Sequence, residues 1–321
     1  MLFKAFRIIV IVWFAFPALA NPDQWSREWP DTDFDVTTIG NWGEIMSGGP
    51  GKDGIPSLTA PNFIGAFDET RLGDREPVIA VEIEGEIPRA YPIRYLMWHE
   101  IVNDTVGEVP IAVTFCPLCN SGLTFDRRVN GQVLEFGVTG KLRNSDMVMY
   151  DRETQSWWQQ AIGVGIVGEM TGVELEQLPT WMESWGQFRE RNPEGAVMDE
   201  PNWRRNYGEN PYRQYDTTRA FLYRGENPPH GIDPLARVIR VGNAAWPLER
   251  LREAGEMTES GYVFSWTEGQ ASALDSAEIA SGREVGTIRV RNESGANVPH
   301  DVLFAFAFHA FYPDGDWMLG E

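Results

Sequence analysis

The feature that most constrains the fold of this chain is an apolar run that ends in the only two cysteines of the sequence. Val109 to Phe115 has the length of a buried strand, and Cys116-Pro117-Leu118-Cys119 follows it without a break. Asn120-Ser121-Gly122 comes next, and these residue types are typical of tight turns. The pattern predicts a strand that delivers both sulfurs onto a turn.

Two cysteines at this spacing, with no third cysteine in the chain, have three chemical uses. They can close a small structural disulfide, cycle between dithiol and disulfide, or hold a soft metal ion. A thioredoxin-type pair stands at a helix N-terminus, where the helix dipole lowers the pKa of the thiol. Here a strand is predicted after the turn, so that support for redox cycling is missing. All three uses stay open at this point.

The N-terminus predicts export. Lys4 and Arg7 form a basic start, Ile8 to Phe16 an apolar core, and Ala18-Leu19-Ala20 a small-residue cleavage site. We therefore expect a signal peptide over residues 1–20 and a periplasmic or secreted protein, where a disulfide can persist. An uncleaved N-terminal anchor is the alternative. Because no later run reaches 18 apolar residues, no membrane span is expected after cleavage.

The charge of the chain restricts its partners. Its 27 basic and 47 acidic side chains give a formal net charge of −20. A surface this negative repels phosphate groups, which argues against nucleic acid and anionic lipid as partners. A small molecule, a metal ion or another exported protein remains possible as a partner.

Strand-length runs outnumber helical ones. Asn130-Gly131, between two such runs, is a strong hairpin signal. Helical spacing predicts one helix from Pro92 to about Asn103 and another from Thr180 to Arg191. Val238 to Leu251 resembles Val78 to Leu96 in its order of apolar and proline residues. We expect an α+β fold, mainly antiparallel β with short helices, in two β-rich halves of which the second is a degenerate copy of the first.

Composition also predicts how the mature chain is divided. Residues 21–52 are predicted to form an extended N-terminal arm, and residues 53–198 a half that carries the cysteine motif. Residues 199–233, rich in Asn, Pro, Tyr and Arg, are predicted to connect this half to a C-terminal β-rich half, residues 234–321.

The motifs around the cysteines carry a resemblance to a known family. The chain resembles the bacterial and archaeal family catalogued as domain of unknown function 3179, across roughly residues 53–250. The matching elements are Ala90-Tyr91-Pro92, His99 to Asp104, Cys116 to Gly122, Phe125-Asp126-Arg127, Phe136 to Gly140, Asn144-Ser145 and Met149 to Gln159. Thr139 stands where the family often has Ser. The resemblance points to a site and implies no activity.

A metal site can be sketched from the residues near the cysteines. His99 lies on the predicted helix that leads into the cysteine strand, although a lone histidine is more often a hydrogen-bonded packing residue. Met149 shares a strand face with Met147 and adds a thioether ligand, although both fit a strand's core side. Cys116, Cys119, His99 and Met149 are thus the candidate ligands. This donor set favours copper over zinc, because a structural zinc site normally brings two such cysteine pairs.

The remaining candidates are catalytic or line a pocket. Cys116 and Cys119 are the candidate redox or nucleophilic groups, with Glu100 or Asp126 as a general base. His99-Glu100 does not continue into a zinc-protease HExxH motif, because Asn103 occupies the last position. The candidate pocket residues are Asn120, Ser121, Arg127, Asn144, Ser145, Asp151, Trp157 and Gln159.

The sequence therefore predicts an exported, acidic protein in which the cysteine pair binds a soft metal or performs thiol redox chemistry. The alternative is a non-catalytic ligand-binding protein in which Cys116 and Cys119 form a structural disulfide. Whether the protein is an enzyme stays open.

Overall fold

Short strands dominate the computed structural model of the protein, which describes residues 22–218, 220 and 222–320. The strands are mainly antiparallel and the α-helices have four to seven residues, so the predicted α+β class is confirmed. The predicted signal peptide lies outside the described residues. None of the helices described here has the length and apolar character needed to cross a bilayer.

The first part of the chain contains α1 (Pro22–Trp25), β1 (Ile45–Ser47), β2 (Leu58–Thr59), β3 (Phe63–Gly65), β4 (Pro77–Val81), β5 (Arg89–Pro92), α2 (Ile93–His99), β6 (Ile101–Val106), β7 (Val109–Cys116) and β8 (Ser121–Asp126). The middle part contains β9 (Arg128–Val129), β10 (Gln132–Val133), β11 (Phe136–Arg143), β12 (Asp146–Asp151), β13 (Trp157–Gln159), β14 (Val164–Val167), β15 (Thr180–Ser184), α3 (Trp185–Arg191) and β16 (Ala196–Met198). The last part contains β17 (Arg237–Val241), β18 (Ala244–Pro247), α4 (Leu248–Ala254), β19 (Glu256–Glu259), β20 (Tyr262–Thr267), β21 (Thr287–Asn292), β22 (Asp301–Phe304), α5 (Ala305–Phe311) and β23 (Asp316–Trp317).

Five sheets of three to five strands make up the body of the structure, and β9 and β10 form a separate hairpin. The strand orders are β2-β6-β7-β8, β1-β11-β12-β13-β14, β15-β4-β5-β16-β3, β22-β17-β18-β23 and β19-β20-β21. This arrangement resembles a five-bladed β-propeller.

The strand that carries the cysteines is as predicted. β7 is paired on both sides, with β6 and β8, and all but its first residue are buried. The register places Cys116 opposite Ser121, so residues 117–120 form a tight turn between the two strands. The Asn130-Gly131 hairpin is also confirmed, because Val129 pairs with Gln132.

Both predicted helices are shorter than expected. α2 ends at His99, because Glu100 adopts a left-handed backbone (φ 59°) and the chain continues as β6. The predicted helix from Thr180 begins only at Trp185, where the Ser184 side chain caps it by accepting from the backbone N–H of Gln187. Residues 180–184 pair instead with β4. Tertiary strand pairing thus overrides local helical spacing in both segments.

The predicted division into two β-rich halves is wrong. Strands from the N- and C-terminal parts bond to each other, and one apolar core contains residues from both parts. The Ser121 hydroxyl at the start of β8 donates to Asp301 on β22, at 3.2 Å. The backbone N–H of Phe304 donates to the carbonyl of Cys119, at 2.8 Å. The largest apolar core and these hydrogen bonds therefore join the two parts into one body, although each part also has smaller apolar clusters of its own.

What recurs in the chain is an order of elements. A hairpin, a helix and a three-stranded meander appear as β4-β5-α2-β6-β7-β8 and again as β17-β18-α4-β19-β20-β21. In each case a later strand–helix–strand unit completes the sheet of the hairpin: β15-α3-β16 in the first and β22-α5-β23 in the second. The last strand of each unit, β16 or β23, runs parallel to the second strand of the hairpin, β5 or β18. Tyr91 and Trp246 occupy the same place in the two hairpins, each one residue before the proline that precedes the helix. Glu100 and Gly255 both follow those helices with positive φ.

The buried ion pair between Arg240 and Asp301 should be essential to stability. The Arg240 side chain is 7% exposed and Asp301 is fully buried, with 2.7 Å between Nε and Oδ1. Replacing Arg240 with Ala leaves the buried Asp301 carboxylate without its cationic partner. We therefore expect a loss of about 3–5 kcal/mol in the free energy of unfolding. Arg252→Ala is the control, because that side chain is half exposed and its pair with Glu249 spans 3.7 Å. It should cost less than about 1 kcal/mol. Urea unfolding measures both, and similar values for the two variants would contradict the expectation.

Candidate functional site

The cysteine turn forms a buried three-residue centre with an aspartate. One sulfur each from Cys116 and Cys119 and a carboxylate oxygen of Asp146 all lie within 4.8 Å of one another. The three residues are at most 1% exposed. Both cysteines are free thiols, so the structural disulfide of the alternative hypothesis is absent from this structure.

A strained turn brings Asp146 to the sulfurs. Asn144 and Ser145 join β11 to β12 as a two-residue hairpin loop, and both have positive φ (49° and 66°). Asn tolerates this conformation well, whereas Ser pays a steric cost. The carbonyl of Ser145 accepts from the thiols of Cys116 and Cys119, at 3.9 and 3.4 Å. The strained residue therefore contacts the centre directly.

The Asp146 carboxylate is only half satisfied. Its Oδ2 accepts from the Gln159 side chain at 2.6 Å and from the backbone N–H of Ala161 at 2.9 Å. The thiols of Cys116 and Cys119 lie within hydrogen-bonding reach of the carboxyl, but its buried Oδ1 has no nitrogen or hydroxyl donor among the described residues. The same is true of three nearby buried oxygens: Ser145 Oγ, Gln159 Oε1 and Gln160 Oε1. Buried oxygens without donors are rare in proteins, and those of Asp146, Ser145 and Gln159 lie close together beside the cysteine turn.

The electrostatics of the centre point the same way. Burial, reinforced by Asp146 and Glu100, raises the pKa of Cys116, and burial also raises the pKa of Cys119. Burial raises the pKa of Asp146 to about 6 and, together with Asp146, raises that of Glu100 to about 8. No cationic side chain contributes to the shift of any of these four pKa values. Burial therefore favours the protonated forms of the acidic groups in this centre, and no cationic side chain among the described residues offsets it.

His99 does not belong to this centre. Its Nδ1 faces the carbonyl of Pro56 at 2.7 Å and its Nε2 faces the Tyr207 hydroxyl at 2.6 Å. Both nitrogens are thus engaged by partners outside the cysteine turn, and the close-set group of potential ligands contains Asp146 in place of His99. The predicted contact of His99 with the sulfurs is wrong, because His99 is the last residue of α2 and its ring packs against Tyr207.

A cavity of about 460 Å³ adjoins the centre. Leu118 from the cysteine turn, Met147 from β12, Glu100, Tyr212 and Tyr215 are among the residues that line it. The remaining lining residues are Gly48, Pro50, Ile55, Val138, Gly140, Lys141, Leu142, Pro211, Arg213, Gln214, Thr218 and Leu222. The residues that flank the buried centre therefore also face a space large enough for a small molecule.

None of the eight predicted pocket residues lines this cavity. Ser145 and Gln159 belong to the centre, as described above. The other six serve the scaffold. Asn120 and Ser121 bond to β22, Asn144 forms the β11–β12 loop, Arg127 donates to backbone carbonyls, Asp151 accepts from Trp158, and Trp157 packs against Trp25, Trp29 and Phe34.

The two predicted general bases differ in their surroundings. Asp126 is paired with Arg128 through its side chain and accepts from the Arg128 backbone, which indicates a structural role. Glu100 lines the cavity, and its carboxyl has no hydrogen-bond donor among the described residues. The predicted ligand Met149 is buried in β12, in the core that also contains both cysteines.

The sequence analysis missed Asp146, Tyr212 and Tyr215. Asp146 directly follows Asn144-Ser145, which had been singled out, but its contact with the sulfurs depends on the β11–β12 loop folding over the cysteine turn. The two tyrosines lie in the predicted connecting excursion, where no local periodicity marks a site.

Comparison with protein families agrees with these motifs. Residues 52–315 match the family model described as a protein of unknown function, DUF3179. The chain belongs to the DUF3179 family. No match is found among curated proteins or among solved structures. In this DUF3179 protein the match spans the cysteine turn, Asp146 and both tyrosines of the cavity.

The strained backbone at Glu100 should lower the stability of the protein. A non-glycine residue with φ near 60° is strained, and the corresponding position after α4 is Gly255. Because the side chain faces an existing cavity, Glu100→Gly removes strain without opening a new void. We expect the free energy of unfolding to rise by about 1 kcal/mol. Glu190→Gly in α3 is the control and should lose about 1 kcal/mol. Urea unfolding measures both variants. A lower free energy of unfolding in both would contradict the inference that Glu100 is strained.

The stability of the metal-free protein should fall as pH rises. Between the ordinary pKa of a glutamate, 4.5, and the raised pKa of Glu100, about 8, the folded state holds a proton that the unfolded state has lost. The unfolding free energy therefore decreases from about pH 5 to pH 8. Glu100→Gln cannot ionise and should give a flatter profile. Urea unfolding in chelator across this range measures the slope, and parallel profiles for the two proteins would refute the assignment.

Proposed function

We propose that the Cys116–Cys119–Asp146 centre binds a thiophilic metal ion in an exported protein. The observation that carries the proposal is the convergence of both sulfurs and a carboxylate oxygen of Asp146 within 4.8 Å of one another at a fully buried site. Two thiolates and a carboxylate would carry three negative charges in a fully buried site. Such a site is stable only with a cation to neutralise it.

The donor set favours zinc over the copper that the sequence analysis preferred. Copper(I) is satisfied by soft sulfur ligands and gains little from a carboxylate, whereas zinc(II) accepts both thiolate and carboxylate ligands. A divalent ion also neutralises more of the buried charge. Three protein ligands would leave a fourth zinc position for water or a ligand, the pattern of a catalytic zinc site.

Metal analysis of the purified full chain tests the proposal. We expect about one zinc per chain, and its loss in Cys116→Ser and in Asp146→Asn. Asp126→Asn is the matched control, because this aspartate pairs with Arg128, and it should retain the metal. His99→Ala should also retain it, since His99 is bonded to Pro56 and Tyr207. Copper that survives Asp146→Asn would return the assignment to copper(I), and protein that takes up neither metal would refute metal binding.

A second function, dithiol oxidation, is favoured by the free state of both cysteines next to a carboxylate whose pKa is about 6. With a small disulfide as oxidant, one cysteine thiolate attacks a sulfur of that disulfide and releases one thiol. The other cysteine then displaces the second thiol and closes the Cys116–Cys119 bond. Two electrons pass to the small disulfide, and the two cysteine protons end on the released thiols, with Asp146 as their carrier.

Thiol titration of chelator-treated, denatured protein separates the two functions. The folded protein is exposed to oxidised glutathione first and is denatured only for the titration. Two free thiols that disappear on this exposure and return with dithiothreitol would support the redox function. Thiols that stay reduced under oxidised glutathione while zinc binds would leave metal binding alone.

A further inference from the structure

The cavity beside the cysteine centre has a mixed wall with one buried acidic group. Ile55, Leu118 and Met147 supply apolar surface, and Tyr212 and Tyr215 supply aromatic rings. Glu100 is only 8% exposed and lines the same space. Most of this wall would suit the apolar body of a ligand, and the carboxyl group would fix one polar end.

The carboxyl of Glu100 is available to a ligand. Among the described residues no side chain or backbone N–H donates to it, and its environment is set by burial and by the charge of Asp146. A buried carboxyl without a partner is costly. Its backbone adds a second cost, because φ is 59° at a position where the repeated order of elements places Gly255. Strained residues of this kind are typical of binding and active sites.

The charges around the cavity select a cation. Asp146 is close enough for its charge to raise the pKa of Glu100, so the negative charge of Asp146 also acts on this side of the cavity. Two basic residues also line the space. Lys141 directs its ammonium to Glu28 at 3.3 Å and towards the ring of Trp25, and Arg213 is an exposed residue of the lining. Neither pairs with Glu100 in the structure.

The aromatic side of the cavity suits the same ligand. Tyr212 and Tyr215 line the same space, and Tyr212 is close enough to Glu100 for the charge of that carboxyl to raise its pKa. Aromatic faces attract ammonium groups, most strongly where water is excluded. A primary ammonium group could therefore pair with the Glu100 carboxylate while its apolar body contacts Ile55 and Met147.

We propose that this cavity is a binding site for a small primary amine with an apolar or aromatic body, and that the Glu100 carboxylate is its ion-pair partner. The site is distinct from the metal centre, and amine binding does not require a metal. Because Leu118 and Met147 line the cavity and adjoin the residues that would hold the zinc, the amine would be a candidate substrate or effector of that centre.

Calorimetric titration of the full chain with benzylamine tests the proposal. Benzyl alcohol is the neutral comparator of the same size, and benzoate is the anionic one. We expect benzylamine to bind at least about tenfold more tightly than benzyl alcohol, and benzoate not to bind. Glu100→Gln keeps the size of the side chain and should lower benzylamine affinity at least about tenfold, to the level of the alcohol. Glu169→Gln, at an exposed residue outside the cavity, is the matched control and should leave the affinity unchanged.

A second variant keeps the test valid if Glu100→Gln does not fold. Leu222→Trp introduces bulk at the cavity lining without touching Glu100, and it should also weaken benzylamine binding. Equal affinities for benzylamine and benzyl alcohol, or unchanged benzylamine affinity in a folded Glu100→Gln variant, would overturn the proposal. Chelator-treated Cys116→Ser should still bind benzylamine, so a failure of metal binding and a failure of amine binding give different results. Loss of amine binding in that variant would overturn the independence of the two sites.

Discussion

The structure depends on satisfying the buried backbone of the cysteine turn. Residues 117–120 lie among apolar side chains, where each carbonyl and N–H needs a partner. The carbonyl of Cys119 accepts from the backbone of Phe304, that of Leu118 accepts from the Tyr215 hydroxyl, and the Asn120 side chain donates to the carbonyl of Val302. All these partners lie more than 90 residues further along the chain. The turn can therefore be buried only when the C-terminal strands are in place, which explains why the chain does not fold as two separate halves.

The same burial creates the chemical character of the centre. Removing water from two thiols and two carboxyls disfavours their ionised forms, and the pKa values of all four groups rise. A protein usually compensates such a site with an arginine or lysine, as it does for Asp301 with Arg240 and for Asp216 with Arg237. No such partner reaches Asp146 or Glu100 in the described structure. Buried carboxyls in this one molecule therefore differ: Asp216 and Asp301 are paired with arginine, whereas Asp146 and Glu100 hold their protons more tightly than usual.

The two units with the same order of elements differ in the chemical groups that they carry. In the N-terminal unit β7 ends at Cys116, a four-residue turn that contains Cys119 joins it to β8, and the residue after the helix is Glu100. In the C-terminal unit residues 268–286 join the corresponding strands, and Gly255 follows the helix. The middle strands β11 and β12, inserted after β8, then add Asp146 to the turn. The hairpin, helix and meander are the common scaffold, and the acidic and sulfur groups are confined to one unit and its insertion.

The sequence by itself determined the local features that short-range physical rules control. It predicted the class of fold, the strand into the cysteine turn, the Asn130-Gly131 hairpin and the family, because strand patterns and turn residues act over a few positions. It also indicated Glu100 and Ser145 as site residues. Only the tertiary structure decided that the sheets form a five-bladed arrangement, that α2 stops at His99, and that Asp146 takes the place expected for His99. Those features depend on contacts between residues far apart in the chain, and no local pattern in one sequence encodes which distant side chains will meet.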